Sequence, residues 1–100
     1  MNVTINQEGN KYDVILEGRI DTTNATQFEQ DMKPLMKAEN ADIRIDCGKM
    51  EYTSSQGLRT FLLLQKHTMT SQGNLVLCNM QAPVKEVFDI TGFSNIIKIV

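Results

Sequence analysis

The hydrophobic period of this chain switches repeatedly between two and three-to-four, and that switching restricts its fold more than any other feature. In NVTIN, Val3 and Ile5 fall on one face. In YDVILEGRI, Tyr12, Val14, Leu16 and Ile20 stay in phase, and ADIRIDCG sets Ile43, Ile45 and Cys47 against Arg44 and Asp46. Such alternation marks strands with one buried face. Gly9 and Asn10 in QEGNK suit a turn, so the first two strands are expected to form an antiparallel hairpin. NATQFEQDMKPLMKAEN instead carries Ala25, Phe28, Met32, Leu35 and Met36 at helical spacing. Asn24 with Gln27 fits a capping box. Pro34, at about 3 kcal/mol inside a helix, is expected to kink or divide this one.

LRTFLLLQKHTMTSQG reads as strand or helix by its apolar run alone. Its length, its few β-branched residues and its closing Gly73 favour a helix, with Leu58, Phe61, Leu62 and Leu64 on a deeply buried face. NLVLCNM is apolar on both faces and is placed centrally in the sheet. APVKEVFDITG suits a short helix: Pro83 in the first turn, Val84, Val87 and Phe88 inward, Gly92 at the C-cap. NIIKIV closes as a last strand. The expected order is β-β-α-β-α-β-α-β in a single α/β domain over residues 1–100. It forms a small mixed sheet flanked by helices, with right-handed crossovers between parallel strands. Three helices are expected to leave one face of that sheet poorly covered.

One hundred residues suit one small core. The net charge is -2 with both signs mixed along the chain, and no basic stripe invites nucleic acid. No apolar run spans a bilayer and MNVTINQEGN is no signal peptide, so a cytoplasmic protein without membrane insertion is expected. Cys47 and Cys78 lie in different expected strands without metal-ligand spacing, which fits reduced core residues. The chain lacks GxxxxGK[ST], HExxH, paired-cysteine and GxSxG motifs, so no cofactor, metal or catalytic residue is expected. His67, the only histidine, is read as a surface residue late in its helix.

One cluster remains. MEYTSSQGLRTFLLL puts Thr53, Ser54 and Ser55 side by side before a helix. A single hydroxyl suffices as an N-cap, contributing roughly 1 kcal/mol, and a plain cap is the simplest reading. The same position offers free N–H groups and partial positive charge, so a serine there can carry a phosphate of about -1.5 to -2 charge without unfolding its helix.

Three segments, in order, resemble the STAS domain of the anti-sigma factor antagonist (anti-anti-sigma factor) family. They are LEGRIDTTNA, with Gly18 and Asp21 at matching positions; IRIDCGKMEYTSSQGLRTFL; and APVKEVFDITGFSNIIKIV. The resemblance covers nearly the whole chain. It implies that Ser55, two residues before Gly57-Leu58, is the phosphoacceptor. Ser54, where relatives often carry Asp, is the alternative acceptor, and Gln56 stands where they often carry Ser or Ala. The implied partner surface comprises Asp21, Thr53, Ser54, Gln56, Gly57 and Arg59, with Tyr52 packing rather than touching a partner. The implied mechanism is partner switching by a monomer that is not an enzyme. Unphosphorylated, it binds an anti-sigma factor serine kinase and frees a sigma factor for transcription. Phosphorylation of Ser55 ends the binding, and a phosphatase resets it. The alternative is a STAS regulatory subunit of a lipid-type ABC transport complex.

Overall fold

Gly9, at φ 62°, turns the chain between strand β1 (Asn2–Glu8) and strand β2 (Lys11–Ile20), which pair antiparallel from Asn2–Glu17 to Glu8–Lys11. The computed structural model describes residues 1–100. The chain continues through helices α1 (Ala25–Asp31) and α2 (Lys33–Met36), strand β3 (Asp42–Thr53), helix α3 (Ser55–Thr70), strand β4 (Asn74–Cys78), helix α4 (Ala82–Ile90), a 3-10 turn (Phe93–Asn95) and strand β5 (Lys98–Ile99). The sheet order is β1-β2-β3-β4-β5, with every pair after the hairpin parallel. The mixed α/β architecture expected from the alternating periods is therefore present.

Pro34 divides its helix. It lies in the first turn of α2, where its missing N–H is harmless. The capping box does not form. The Asn24 side chain makes no cap bond; its Oδ1 accepts from the Asp21 N–H at 2.9 Å and its Nδ2 donates to the Arg19 carbonyl at 2.8 Å. Gln27 donates instead to Asp31 at 2.8 Å. A loop that needs tying has taken the side chain that the local motif would have used.

Every helix contributes to one core on one face of the sheet. Phe28 and Leu35, Phe61 and Leu64, and Val84 and Phe88 pack on Val14, Leu16, Ile43, Ile45, Cys47 and Leu77. Phe28, Phe61, Phe88 and Phe93 form a chain of tilted and edge-on rings at centroid spacings of 5.6, 5.6 and 6.3 Å, which joins α1, α3, α4 and the 3-10 turn. The opposite face is left to water, with Asp13, Arg44 and Lys98 exposed along it.

Several expectations are corrected. Leu62 is only half-buried, whereas Thr60 and Thr68 join the buried face of α3. Strand β4 is flanked by β3 and β5, but β3 is the central strand. On β4's open side Cys78 is covered by Arg44, whose Nε donates to Sγ at 3.3 Å. Gly73 does not end α3 by its own backbone freedom, because Gln72 takes the left-handed conformation at φ 60°. Gly73 is required because a Cβ there would meet the Ala41 carbonyl oxygen at 2.6 Å. His67 is no free surface residue; it is half-buried, and its Nε2 donates to the Ala38 carbonyl at 2.7 Å. Of NIIKIV only Lys98–Ile99 is strand. Gly92 does take the left-handed turn after α4, at φ 82°. No helix is long and apolar enough to cross a membrane.

Both cysteines are buried and free. Burial raises the Cys47 thiol from 9.0 to about 12, with Cys78 and Asp46 nearby adding to the rise. Between about pH 9 and pH 12 the unfolded thiol loses its proton while the folded one keeps it, so alkali favours unfolding by up to about 1.4 kcal/mol per pH unit. Urea midpoints measured across this range should fall more steeply in the parent chain than in Cys47→Ala. Equal slopes would contradict the assignment.

Candidate functional site

Strand β2 ends at Ile20 and strand β3 at Thr53, and these two residues are paired in register. The Ser54 N–H donates to the Ile20 carbonyl at 2.9 Å, so the junction before α3 is anchored to the end of β2. Ser54 is extended (φ -87°, ψ 172°) and is the N-cap; its Oγ accepts from the Gly57 N–H at 3.3 Å and its carbonyl accepts from Leu58 at 3.0 Å. Thr53 is buried below, its hydroxyl donating to the Ser54 carbonyl at 3.2 Å. Gly57 completes the junction. A Cβ there would collide with Thr53 Oγ1 and approach Ile20 Cγ2 to 2.8 Å.

Each hydroxyl of the cluster thus has a different place. Thr53 supports the junction, Ser54 caps the helix, and Ser55, the first residue of α3, is exposed to solvent. Gln56 and Arg59 are exposed beside it. Thr53, Ser54 and Gly57 were expected on the partner surface, and burial corrects that: they hold the junction from beneath.

Asp21 directly follows the Ile20 anchor, so its loop adjoins the start of α3. Its carboxylate accepts from the Thr23 hydroxyl and from the Thr23 N–H at 2.9 Å. These two bonds hold the carboxyl below the usual range, the hydroxyl first. Asp21 is therefore a turn-forming residue whose carboxylate is already engaged. Tyr52 does pack against a neighbour, but at the surface. It is 42% exposed, and the Arg19 guanidinium stacks 4.8 Å from its ring centroid. Local periodicity does not contain this pair; the β2–β3 register, which sets Arg19 opposite Tyr52, does.

Between α1 and α3 lies a notch of about 200 Å³, lined by Ala25, Thr26 and Glu29 on one side and Gln56, Arg59 and Thr60 on the other. Sequence reasoning missed Thr26 and Glu29. The available hint was polar residues at three- and four-residue spacing on both helices, which also describes any solvated face. Neither Glu29 nor Arg59 takes part in the molecule's ion pairs, Lys49–Glu17 at 3.8 Å and Lys85–Asp89 at 3.2 Å.

The arrangement presents an exposed hydroxyl on the first residue of a helix. His67 is twelve residues further along α3, roughly 18 Å away at 1.5 Å per residue. The chain's one histidine is thus not beside Ser55, whose hydroxyl sits at an anchored corner with a mixed-charge notch nearby.

A family model for the STAS domain matches residues 2–100. The chain is 33% identical over 99 residues to the anti-sigma-B factor antagonist of Bacillus subtilis, covering 99% of this chain and 90% of that protein. It is 38% identical over 81 residues to BtrV of Bordetella bronchiseptica, which is named as a candidate anti-sigma factor antagonist; the match covers 81% of this chain and 70% of BtrV. In structure it resembles the anti-sigma factor antagonist SpoIIAA in its unphosphorylated form, at a TM-score of 0.81 and 15% identity over 99% of this chain and 88% of that one. The phosphorylated form of SpoIIAA, described as a Bacillus cell fate determinant, gives 0.74 and 15% over 99% and 91%.

The junction implies an ordering of stabilities. Ser54→Ala should cost about 1 kcal/mol through the lost cap, and Gly57→Ala about 1–3 kcal/mol through overpacking. Ser55→Ala should stay within about 0.5 kcal/mol. Chemical denaturation of the three variants checks this; a Ser55→Ala loss as large as that of Ser54→Ala would reverse the assigned roles.

Proposed function

The chain belongs to the STAS domain family, among the anti-sigma factor antagonists, and on that premise we propose that it switches partners through Ser55. The unphosphorylated protein binds an anti-sigma factor that is also a serine kinase, and a sigma factor is released. The kinase transfers the γ-phosphoryl group of its ATP to Ser55 Oγ. The bond from the γ-phosphorus to the ADP leaving oxygen breaks, an O–P ester forms, and the hydroxyl proton leaves with a base of the kinase. A separate phosphatase hydrolyses the ester. The protein is substrate and ligand in this cycle.

The observation carrying this reading is the division of the hydroxyls. Ser55 is exposed and takes no part in the cap, whereas Ser54 is 9% exposed and committed to Gly57. This favours Ser55 over Ser54 as acceptor. Magnitudes favour a surface switch. An exposed charge at a helix start is worth about 0.3–1 kcal/mol, too little to refold a domain. A 100-fold loss of affinity needs about 2.7 kcal/mol, within reach of a dianion caught in a closing interface. The likeness in fold to both the phosphorylated and the unphosphorylated SpoIIAA agrees with a phosphate that leaves the backbone in place.

Ser55→Ala should hold the anti-sigma partner in the presence of ATP, and Ser55→Asp should bind it at least 10-fold more weakly. Calorimetry on the two variants, with mass spectrometry of the parent chain after incubation with candidate anti-sigma kinases and ATP, provides the check. Equal affinities, or phosphate on another residue, would remove Ser55 from the switch. Amide NMR shifts on phosphorylation should stay within residues 18–24 and 53–60.

A further inference from the structure

Resting on the reading of Ser55 as phosphoacceptor, we propose that Arg59 is an internal clasp for the phosphate, and that phosphorylation thereby withdraws this cation from the partner surface. Ser55 and Arg59 are four residues apart in α3. That spacing stacks them on one helix face with Cβ atoms about 6 Å apart, within reach of an arginine side chain. Arg59 is exposed and uncommitted: it has neither an ion pair nor a side-chain hydrogen bond, although Glu29 lines the same notch.

Apart from Glu29, the charges around the junction are otherwise occupied. Asp21 is bound by Thr23, and Arg19 stacks on Tyr52. Arg59 is thus the uncommitted cation beside Ser55. A guanidinium fork matches two oxygens of a phosphate monoester, and such charge-assisted pairs are about twice as strong as neutral ones. Without the phosphate, Arg59 borders the notch and is available to a partner carboxylate. With it, the side chain turns back one helical turn. One modification then acts twice, adding negative charge to the surface and removing a positive contact from it.

The test installs phosphoserine at position 55 by genetic encoding, which needs no kinase. Phosphorus-31 NMR then follows the second ionisation of the phosphate. A clasp favours the dianion, so the Arg59→Gln protein should titrate higher than the parent by about 0.15–0.4 pH unit. Arg59→Lys should keep part of the difference, and 1 M salt should shrink it. A merely structural role for Arg59 would leave this ionisation unmoved. Identical titrations of the parent and Arg59→Gln would overturn the clasp while leaving the switch at Ser55 intact. Failure of anti-sigma kinases to modify Ser55 would end the switch by a separate measurement.

Discussion

The hydrogen bond from the Ser54 N–H to the Ile20 carbonyl is the interaction on which the candidate site depends. It joins the end of one strand to the start of a helix that follows its neighbour. Once it is made, α3 has little freedom in where it begins. Its first turn must lie against Ile20 and Thr53, and the side chain at position 57 has to vanish for it to do so. Ser54 turns inward to cap. The next residue is then carried to the outside, because successive positions on a helix diverge by about 100°. The exposure of Ser55 is a consequence of that geometry.

A corner built this way is stiff, and stiffness suits a chemical switch that works by altering a surface. The buried rings of Phe28, Phe61 and Phe88 tie α1, α3 and α4 into one packed layer. Close-packed interiors do not deform continuously under a small local force. A phosphate worth a few tenths to one kcal/mol to its own helix cannot move such a layer. On the proposed reading, its effect would therefore fall on whatever approaches from solvent, where desolvating a dianion is expensive.

The alternation of Val14, Leu16, Ile43 and Ile45, and the three-to-four spacing of Phe28 and Met32, carry the architecture openly, because burial on one face leaves its period in the chain. Pro34 was legible as a break for an equally local reason. What stayed hidden was tertiary. The motif of Asn24 and Gln27 looked like a capping box, but Asn24 is used to tie the loop between Arg19 and Asp21. His67 is half-buried because the Ala38 carbonyl, which sequence distance does not bring near, comes within reach of its ring. The notch belongs to two helices facing one another, and neither shows it alone. At the site itself three hydroxyls in a row were visible, but which one capped the helix depended on where β3 stopped.

That last distinction decides what position 55 can tolerate. A phosphate on Ser54 would destroy the acceptor that holds the Gly57 N–H and would place a dianion where the side chain is almost wholly covered. The helix start would lose about 1 kcal/mol of capping and also bear the larger cost of a buried charge. On Ser55, exposed at the first position of α3, the same group would be open to water, and no existing side-chain hydrogen bond would be broken. Two adjacent residues of identical chemistry therefore differ in consequence: esterifying one attacks the fold, and esterifying the other writes on its surface. The cap at Ser54 is what frees Ser55 from structural duty, so the redundancy that made this cluster conspicuous separates a structural oxygen from an exposed one, which is what the proposed switch requires.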